Sequence, residues 1–218
     1  MRSIYGKGSV VIATVLVLCA VASASASAAQ WYVGGKALTG SAKLAATAKV
    51  EEPITFSIPG LGMTITCSSL SMESPEILAA GTLKAKEESH LGGCKATVGA
   101  KACFVENEWG ELFGGIEGLP SLGTSPEDKL ELKSPKAYAF VVFELGSNCG
   151  AFGGQFALTG KIPFSMSAGQ TESVEQTFVG EGTKAKGVNS LNFEGNPVYV
   201  TGKFKLKLAS GSKWSYHA

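Results

Sequence analysis

The chain has 218 residues, of which 17% are charged and 44% apolar, with 28 glycines and a formal net charge of +1. That length can bury one sizeable core and is short for two full domains. Its low charged fraction at ordinary hydrophobicity excludes intrinsic disorder, and its near-zero net charge gives no electrostatic footprint for nucleic acid or an anionic membrane.

Residues 1–28 read as an export signal. Arg2 and Lys7 give a positive start, Val10 to Val21 is an uncharged apolar run, and Ala22-Ser23-Ala24-Ser25-Ala26-Ser27-Ala28-Ala29 is a ladder of small residues suited to signal peptidase, with cleavage expected after Ala28. The apolar run is shorter than the roughly 20 residues that span a bilayer, so a retained anchor is the weaker reading. Acylation at Cys19 is disfavoured by the large Leu18 before it. We expect an N-terminal signal-peptide helix over 1–28, a mature domain over 29–218 that is nearly neutral once Arg2 and Lys7 are lost, and no stable membrane insertion after cleavage. The protein is then secreted, extracellular or associated with the cell envelope.

Beyond the signal, alternation with a period of two dominates, and it marks strands. Gly34-Gly35 separates Trp31-Tyr32-Val33 from Lys36-Ala37-Leu38, which is hairpin chemistry. Strands are predicted at Lys43–Val50, Ile54–Ile58 and Met63–Cys67, the last two joined by Pro59-Gly60-Leu61-Gly62, then at Gly81–Lys86 and Ala102–Glu108. Gly110 to Pro126, rich in Gly, Pro and Ser, reads as a long surface loop, and Pro126-Glu127-Asp128-Lys129 as one short turn. Further strands are predicted at Leu130–Lys133, Gln155–Met166, Ser173–Val179 and Leu191–Phe193. Ala137–Leu145 is apolar on both faces and rich in aromatic and β-branched residues, as a central strand is. In Val198–Leu208 the residues Val198, Val200, Phe204, Leu206 and Leu208 point one way, while Lys203, Lys205 and Lys207 point the other, giving a half-buried strand with a charged outer face. An anion-binding stripe is the sharper reading of those lysines. Short strands between glycine-rich turns predict a single all-β domain, an antiparallel β-sandwich or barrel.

Cys67, Cys94, Cys103 and Cys149 form an even set in an exported chain, which predicts two disulfides. Four cysteines allow three pairings. The preferred one joins Cys94 to Cys103 around Gly99, as across a hairpin, and Cys67 to Cys149. A metal site using His90, Cys94 and Cys103 lacks the paired spacing of zinc knuckles, so neither metal nor cofactor is expected.

Trp31-Tyr32-Val33, Ile65-Thr66-Cys67, Gly93-Cys94, Cys103, Asn148-Cys149 and the ending Leu206-Lys207-Leu208-Ala209-Ser210-Gly211-Ser212-Lys213-Trp214 resemble a set of exported actinobacterial all-β proteins of unknown function. The resemblance spans most of the mature chain. It implies export and a β fold, and no catalytic residue.

Composition narrows the chemistry further. The mature chain has no arginine, so no guanidinium clamps a carboxylate or phosphate. Asp128 is its only aspartate, which excludes an aspartic dyad within one chain and leaves calcium loops without ligands. His90 and His217 are the two histidines, and no Gly-x-Ser-x-Gly elbow is present. Ser210-Gly211-Ser212-Lys213 matches Ser-x-x-Lys but sits in a turn between strand-like segments, and Gly160-Lys161 lacks the glycine a P-loop needs upstream.

One cluster carries candidate chemistry. In Cys103-Phe104-Val105-Glu106-Asn107-Glu108-Trp109-Gly110-Glu111, a regular strand would put Glu106 and Glu108 on one face, about 6–7 Å apart. A carboxylate pair at roughly 5–9.5 Å suits glycoside cleavage, and carboxylates beside an aromatic ring suit sugar binding. The plainer reading makes the glutamates a solvated face, with Phe104 and Val105 in core contact and Trp109 anchoring a loop. Trp31 and Trp214 are expected to pair the terminal strands. The function expected is a secreted, non-catalytic cell-envelope or extracellular binding or structural protein. Its partner would be a surface glycan, an envelope protein or a small apolar ligand. The alternatives are a glycan hydrolase using Glu106 and Glu108, and a β-barrel with an apolar ligand inside.

Overall fold

The computed structural model describes residues 30–79, 81–112, 115–121, 129–135, 139–167, 171–182 and 191–217. The predicted signal peptide and its helix lie outside the described residues, as do the Pro126-Glu127-Asp128 turn and Ala137-Tyr138 of the predicted central strand.

The strands in chain order are β1 (Gln30–Val33), β2 (Lys36–Ala37), β3 (Lys43–Ile58), β4 (Met63–Ser71), β5 (Glu76–Leu78), β6 (Leu83–Ala85), β7 (His90–Val98), β8 (Lys101–Cys103), β9 (Val105–Glu111), β10 (Ile116–Ser121), β11 (Lys129–Lys133), β12 (Val141–Leu145), β13 (Gly154–Ser167), β14 (Glu175–Glu181), β15 (Leu191–Phe193), β16 (Asn196–Leu208) and β17 (Trp214–His217). Short 3₁₀ turns occupy Pro59–Leu61 and Ser147–Phe152. The protein is all-β, and its pairings are antiparallel.

Three long strands organise the rest. Along one edge β3 pairs with β16, while on the other it pairs with β5 at Lys43–Ala45 and with β4 at Ile54–Ile58. β13 likewise pairs with β12 near its start and with β11 further along. The pairings therefore close two circuits, β3-β4-β7-β9-β12-β13-β15-β16 and β3-β5-β6-β10-β11-β13-β14-β16, which share β3, β13 and β16. Closure satisfies backbone groups that an open edge would present to solvent.

Alternation along these strands fills one contiguous core. Phe56, Phe143, Phe156, Phe164, Phe178 and Phe204 are fully buried, and Phe204 packs between Phe178, stacked at 5.0 Å, and Phe164, edge-on at 4.9 Å. The buried set on β16 is Val198, Val200, Phe204, Leu206 and Leu208, with the lysines on the other face. The Gly34-Gly35 turn joins β1 to β2 as a two-residue hairpin, both glycines having positive φ.

Trp31 and Trp214 do bring the chain ends together, with Val33 opposite Trp214 and the two indoles 5.3 Å apart. They do so in a separate three-stranded sheet, β17-β1-β2, which a bridge from Trp214 to Ser173 connects to the larger one.

Several expectations are corrected. Lys43–Val50 and Ile54–Ile58 are one strand, because β3 runs through Pro53 at a bulge where the pairing with β16 shifts register. Gly202 opposes it with φ +134, and a side chain there would meet the Pro53 carbonyl oxygen at 2.6 Å. Pro is tolerated at a bulge because no ladder donor is needed there.

The stretch from Gly110 to Pro126 is not simply a surface loop. Leu112 and Ile116 are buried and β10 pairs with β6 and β11. Gly118 interrupts the alternation because Leu83, Leu130 and Leu132 occupy the space of its side chain.

The disulfides join Cys67 to Cys94 and Cys103 to Cys149, not Cys94 to Cys103 and Cys67 to Cys149. β4 pairs with β7 with Cys67 directly opposite Cys94, which leaves Cys103 for the turn that carries Cys149.

Candidate functional site

The site lies on β9, between β7 and β12. Trp109 pairs with Gly92 on β7, and Cys103 of β8 pairs with Ala96 on the same strand. Residues 104–108 must therefore span a gap that only residues 93–95 fill on β7. On the other side Gly110 opposes Phe143 and Val105 opposes Leu145. The surplus residues rise from the sheet as an arch. Asn107 and Glu108 absorb the turn in left-handed conformations, with φ of 55° and 53°. Such φ values are costly for residues with a side chain and occur where surrounding structure imposes them.

Both feet of the arch are fixed. At the first, the Cys103–Cys149 disulfide ties it to the 3₁₀ turn. The Phe104 N–H donates to Asn148 Oδ1 at 3.0 Å, and the Gly146 N–H donates to the Phe104 carbonyl at 3.0 Å. Gly146 has no room for a side chain, since Asn148 Oδ1, Glu106 Oε1 and Phe104 Cβ crowd the position a Cβ would take. At the second foot Gly110 lies against the buried Phe143 ring.

The left-handed residues break the regular alternation on which the expected strand-face spacing of Glu106 and Glu108 rested. Both are exposed. Phe104 is not a core residue. It is 71% exposed, and Trp109 is 55% exposed, the two exposed large hydrophobic side chains among the described residues. Trp31 and Trp214, in contrast, are fully buried.

Trp109 lies flat on the His90 imidazole, with ring centroids 4.7 Å apart and planes 16° apart. His90 Nδ1 is 3.2 Å from the Glu88 carbonyl oxygen. The stack covers one face of the indole and holds it against the sheet. Glu111 opposes His90 in the β7–β9 register and is exposed, and Glu144 is exposed on the neighbouring β12.

Charge is distributed unevenly over the molecule. Several lysines elsewhere meet carboxylates: Lys203 with Glu52 at 2.8 Å, Lys205 with Glu51 at 2.6 Å, Lys161 with Glu131 at 2.7 Å, Lys133 with Glu117 at 3.3 Å. The hydrogen bonds to Glu52 and Glu51 hold the Lys203 and Lys205 ammonium groups above the usual lysine range. The groove bordered by Lys205 and Lys207 also contains Glu51 and Glu175, so the lysines of β16 form no uniform stripe for an anion. Around Trp109 the pattern reverses. Among the described residues no ion pair involves Glu106, Glu108, Glu111 or Glu144.

The interior cavity lined by Ile54, Phe56, Phe140, Phe164 and Phe204 measures about 20 Å³. That is space for about one water molecule. Among the described residues no group of three or more His, Cys, Asp or Glu is placed to hold a metal ion, and Cys94 and Cys103 are committed to disulfides. No helix among the described residues is long and apolar enough to cross a membrane.

Comparison with protein-family models, curated proteins and solved structures gave no significant match.

Sequence reasoning singled out Glu106, Glu108 and Trp109 within a run that ends at Glu111, but did not place His90 or Glu144 beside them. The alternation of β7 is interrupted by Gly92 and by Gly93, which has φ +60. With that strand unrecognised, nothing placed His90 beside Trp109.

Proposed function

We propose that the protein is an exported, non-catalytic binding protein that contacts a glycan of the cell envelope through the arch at Phe104–Trp109. The observation that carries this reading is Trp109: a large indole, 55% exposed, backed by His90 on one face and held at a fixed place in the sheet. Aromatic side chains with an open face accept the C–H face of a sugar ring, and a pre-positioned ring loses little freedom on binding. Export rests on the signal-like segment over residues 1–28 and fits two disulfides, which persist in oxidising compartments.

Hydrolysis is the less supported reading. A glycosidase general acid works in surroundings that desolvate it, with its partner carboxylate across the scissile bond. Glu106 and Glu108 are instead exposed on a projecting arch.

The test is co-sedimentation of the mature protein with purified insoluble envelope polysaccharide. The native protein should sediment, and Trp109→Ala should bind about tenfold more weakly, as loss of one stacked ring predicts. Equal sedimentation of the two proteins would overturn the assignment of Trp109, and absence of sedimentation of either would overturn the glycan reading.

A further inference from the structure

We infer that the Trp109 face is selective for amine-bearing sugars, with the indole stacking on the sugar ring and the surrounding carboxylates receiving its ammonium groups. This rests on the binding reading above and specifies its ligand.

The first argument is charge. Glu106, Glu108, Glu111 and Glu144 are exposed on β9 and β12 around the stack. Glutamates on several other strands have lysine partners within 4 Å, as Glu51, Glu52, Glu117 and Glu131 show. Among the described residues the four glutamates of the Trp109 face have no such partner, and the nearby strand β7 offers Lys95 alone as an exposed cation. A neutral glycan would leave these carboxylates to water, and an anionic glycan would be repelled. An ammonium substituent is complementary to them and is also attracted to the indole face.

The second argument separates a sugar from a basic peptide. An extended peptide commonly docks by adding a strand to an open sheet edge. β7, β9 and β12 each have a strand neighbour on both sides, and the ladder is interrupted only at the short arch, so the Trp109 face offers no continuous open edge for an added strand. What it presents is a flat ring, stacked parallel to His90, with carboxylates beside it.

The probes are glucosamine oligomers, N-acetylglucosamine oligomers of the same length, and oligolysine, titrated against the mature protein with tryptophan emission and calorimetry as readouts. Glucosamine oligomers should bind at least about tenfold more tightly than the acetylated ones, and binding should weaken as salt screens the exposed charges. Glu111→Gln/Glu144→Gln should lose about fivefold toward the glucosamine oligomer, the effect expected for two exposed charge pairs. That variant should keep the native melting temperature, since neither carboxylate is in an ion pair among the described residues. Equal affinity for the acetylated oligomer would overturn this inference and leave the glycan reading standing. Tighter binding of oligolysine than of the glucosamine oligomer would overturn it in favour of a basic peptide. Failure of both sugars, together with failure to sediment with envelope polysaccharide, would remove the glycan reading itself.

Discussion

Cys67 and Cys94 stand opposite each other on neighbouring antiparallel strands, their Cα atoms 4.0 Å apart, and a disulfide joins them across the ladder. Both are buried. The bond welds β4 to β7 beside the gap that the Phe104–Glu108 arch spans. The second bond, Cys103–Cys149, closes the foot of the arch itself. The two covalent ties therefore converge on the one part of this sheet that departs from regular pairing.

Peptide mapping under non-reducing conditions should recover Cys67 linked to Cys94 and Cys103 linked to Cys149. Their sequence separations are 27 and 46 residues. On the chain-entropy account, removing either bridge by paired Cys→Ser substitution should cost about 4 kcal/mol of stability. The two losses should differ in kind. Removing Cys103–Cys149 should also lower binding at Trp109, because the arch loses its foot. A Cys94–Cys103 peptide in the map would overturn the arrangement of β7 and β9 as well as the pairing.

Tryptophan emission offers a direct check of the exposed platform. Of the three tryptophans, Trp31 and Trp214 are fully buried and Trp109 is 55% exposed. Quencher-accessible emission should come from Trp109 alone and disappear in Trp109→Phe. Caesium should quench that component more strongly than iodide, since carboxylates surround the ring and attract cations. Preferential quenching by iodide would contradict the acidic character assigned to this face.

How much of this was legible in the residues depends on where alternation survives. Val198–Leu208 showed its buried and charged faces directly, because each apolar residue keeps its parity through Gly202. The Trp31–Trp214 pairing was also readable, since large aromatics near the two ends of a mature β chain need a common place to bury. Residues 90–98 were not readable as a strand, because Gly92 and Gly93 stand where the alternation would show. The spacing of Glu106 and Glu108 was visible, but its meaning depends on a bulge. The bulge follows from how many residues β7 places opposite 104–108, which is a property of two strands together and of neither alone. For the same reason the two expected disulfides were paired differently: loop length favoured Cys94–Cys103, whereas register favours Cys67–Cys94.

The lysine face of β16 gives a pH prediction. Glu52 and Glu51 hold Lys203 and Lys205 above the ordinary lysine value of 10.5. A group with a raised folded-state value contributes stability that is fully present below its unfolded value and is lost as pH rises through the folded one. The contribution of these pairs should therefore be constant through neutral pH and fade only above about pH 10.5. Melting temperature followed from pH 8 to 12 should fall more for the native protein than for Lys203→Met/Lys205→Met, so that the two curves converge. Because the lysines are only half-buried and their ion pairs reach solvent, the gap between the two curves should be small and should shrink with salt. A gap that widens with alkaline pH would show that the lysines oppose, rather than support, the fold.

Gly110 tests whether the arch is braced from below. A Cβ added there would lie 2.3 Å from Cε1 of Phe143, a ring that is fully buried and packed edge-on against Phe56 at 5.5 Å. The ring cannot swing away without disturbing the core, so Gly110→Ala should destabilise the protein by about 1–3 kcal/mol, the usual cost of overpacking. Because Gly110 follows Trp109 directly, the same strain should reach the indole and weaken its stack on His90. Phe143→Leu alone should also destabilise, by leaving space beneath β9. In Gly110→Ala/Phe143→Leu the added methyl occupies part of the volume the ring vacates, so the two losses should fall short of additive by about 0.5 kcal/mol or more. Strict additivity in denaturant unfolding of the four proteins would show that Gly110 and Phe143 do not meet in the way the β9–β12 register requires.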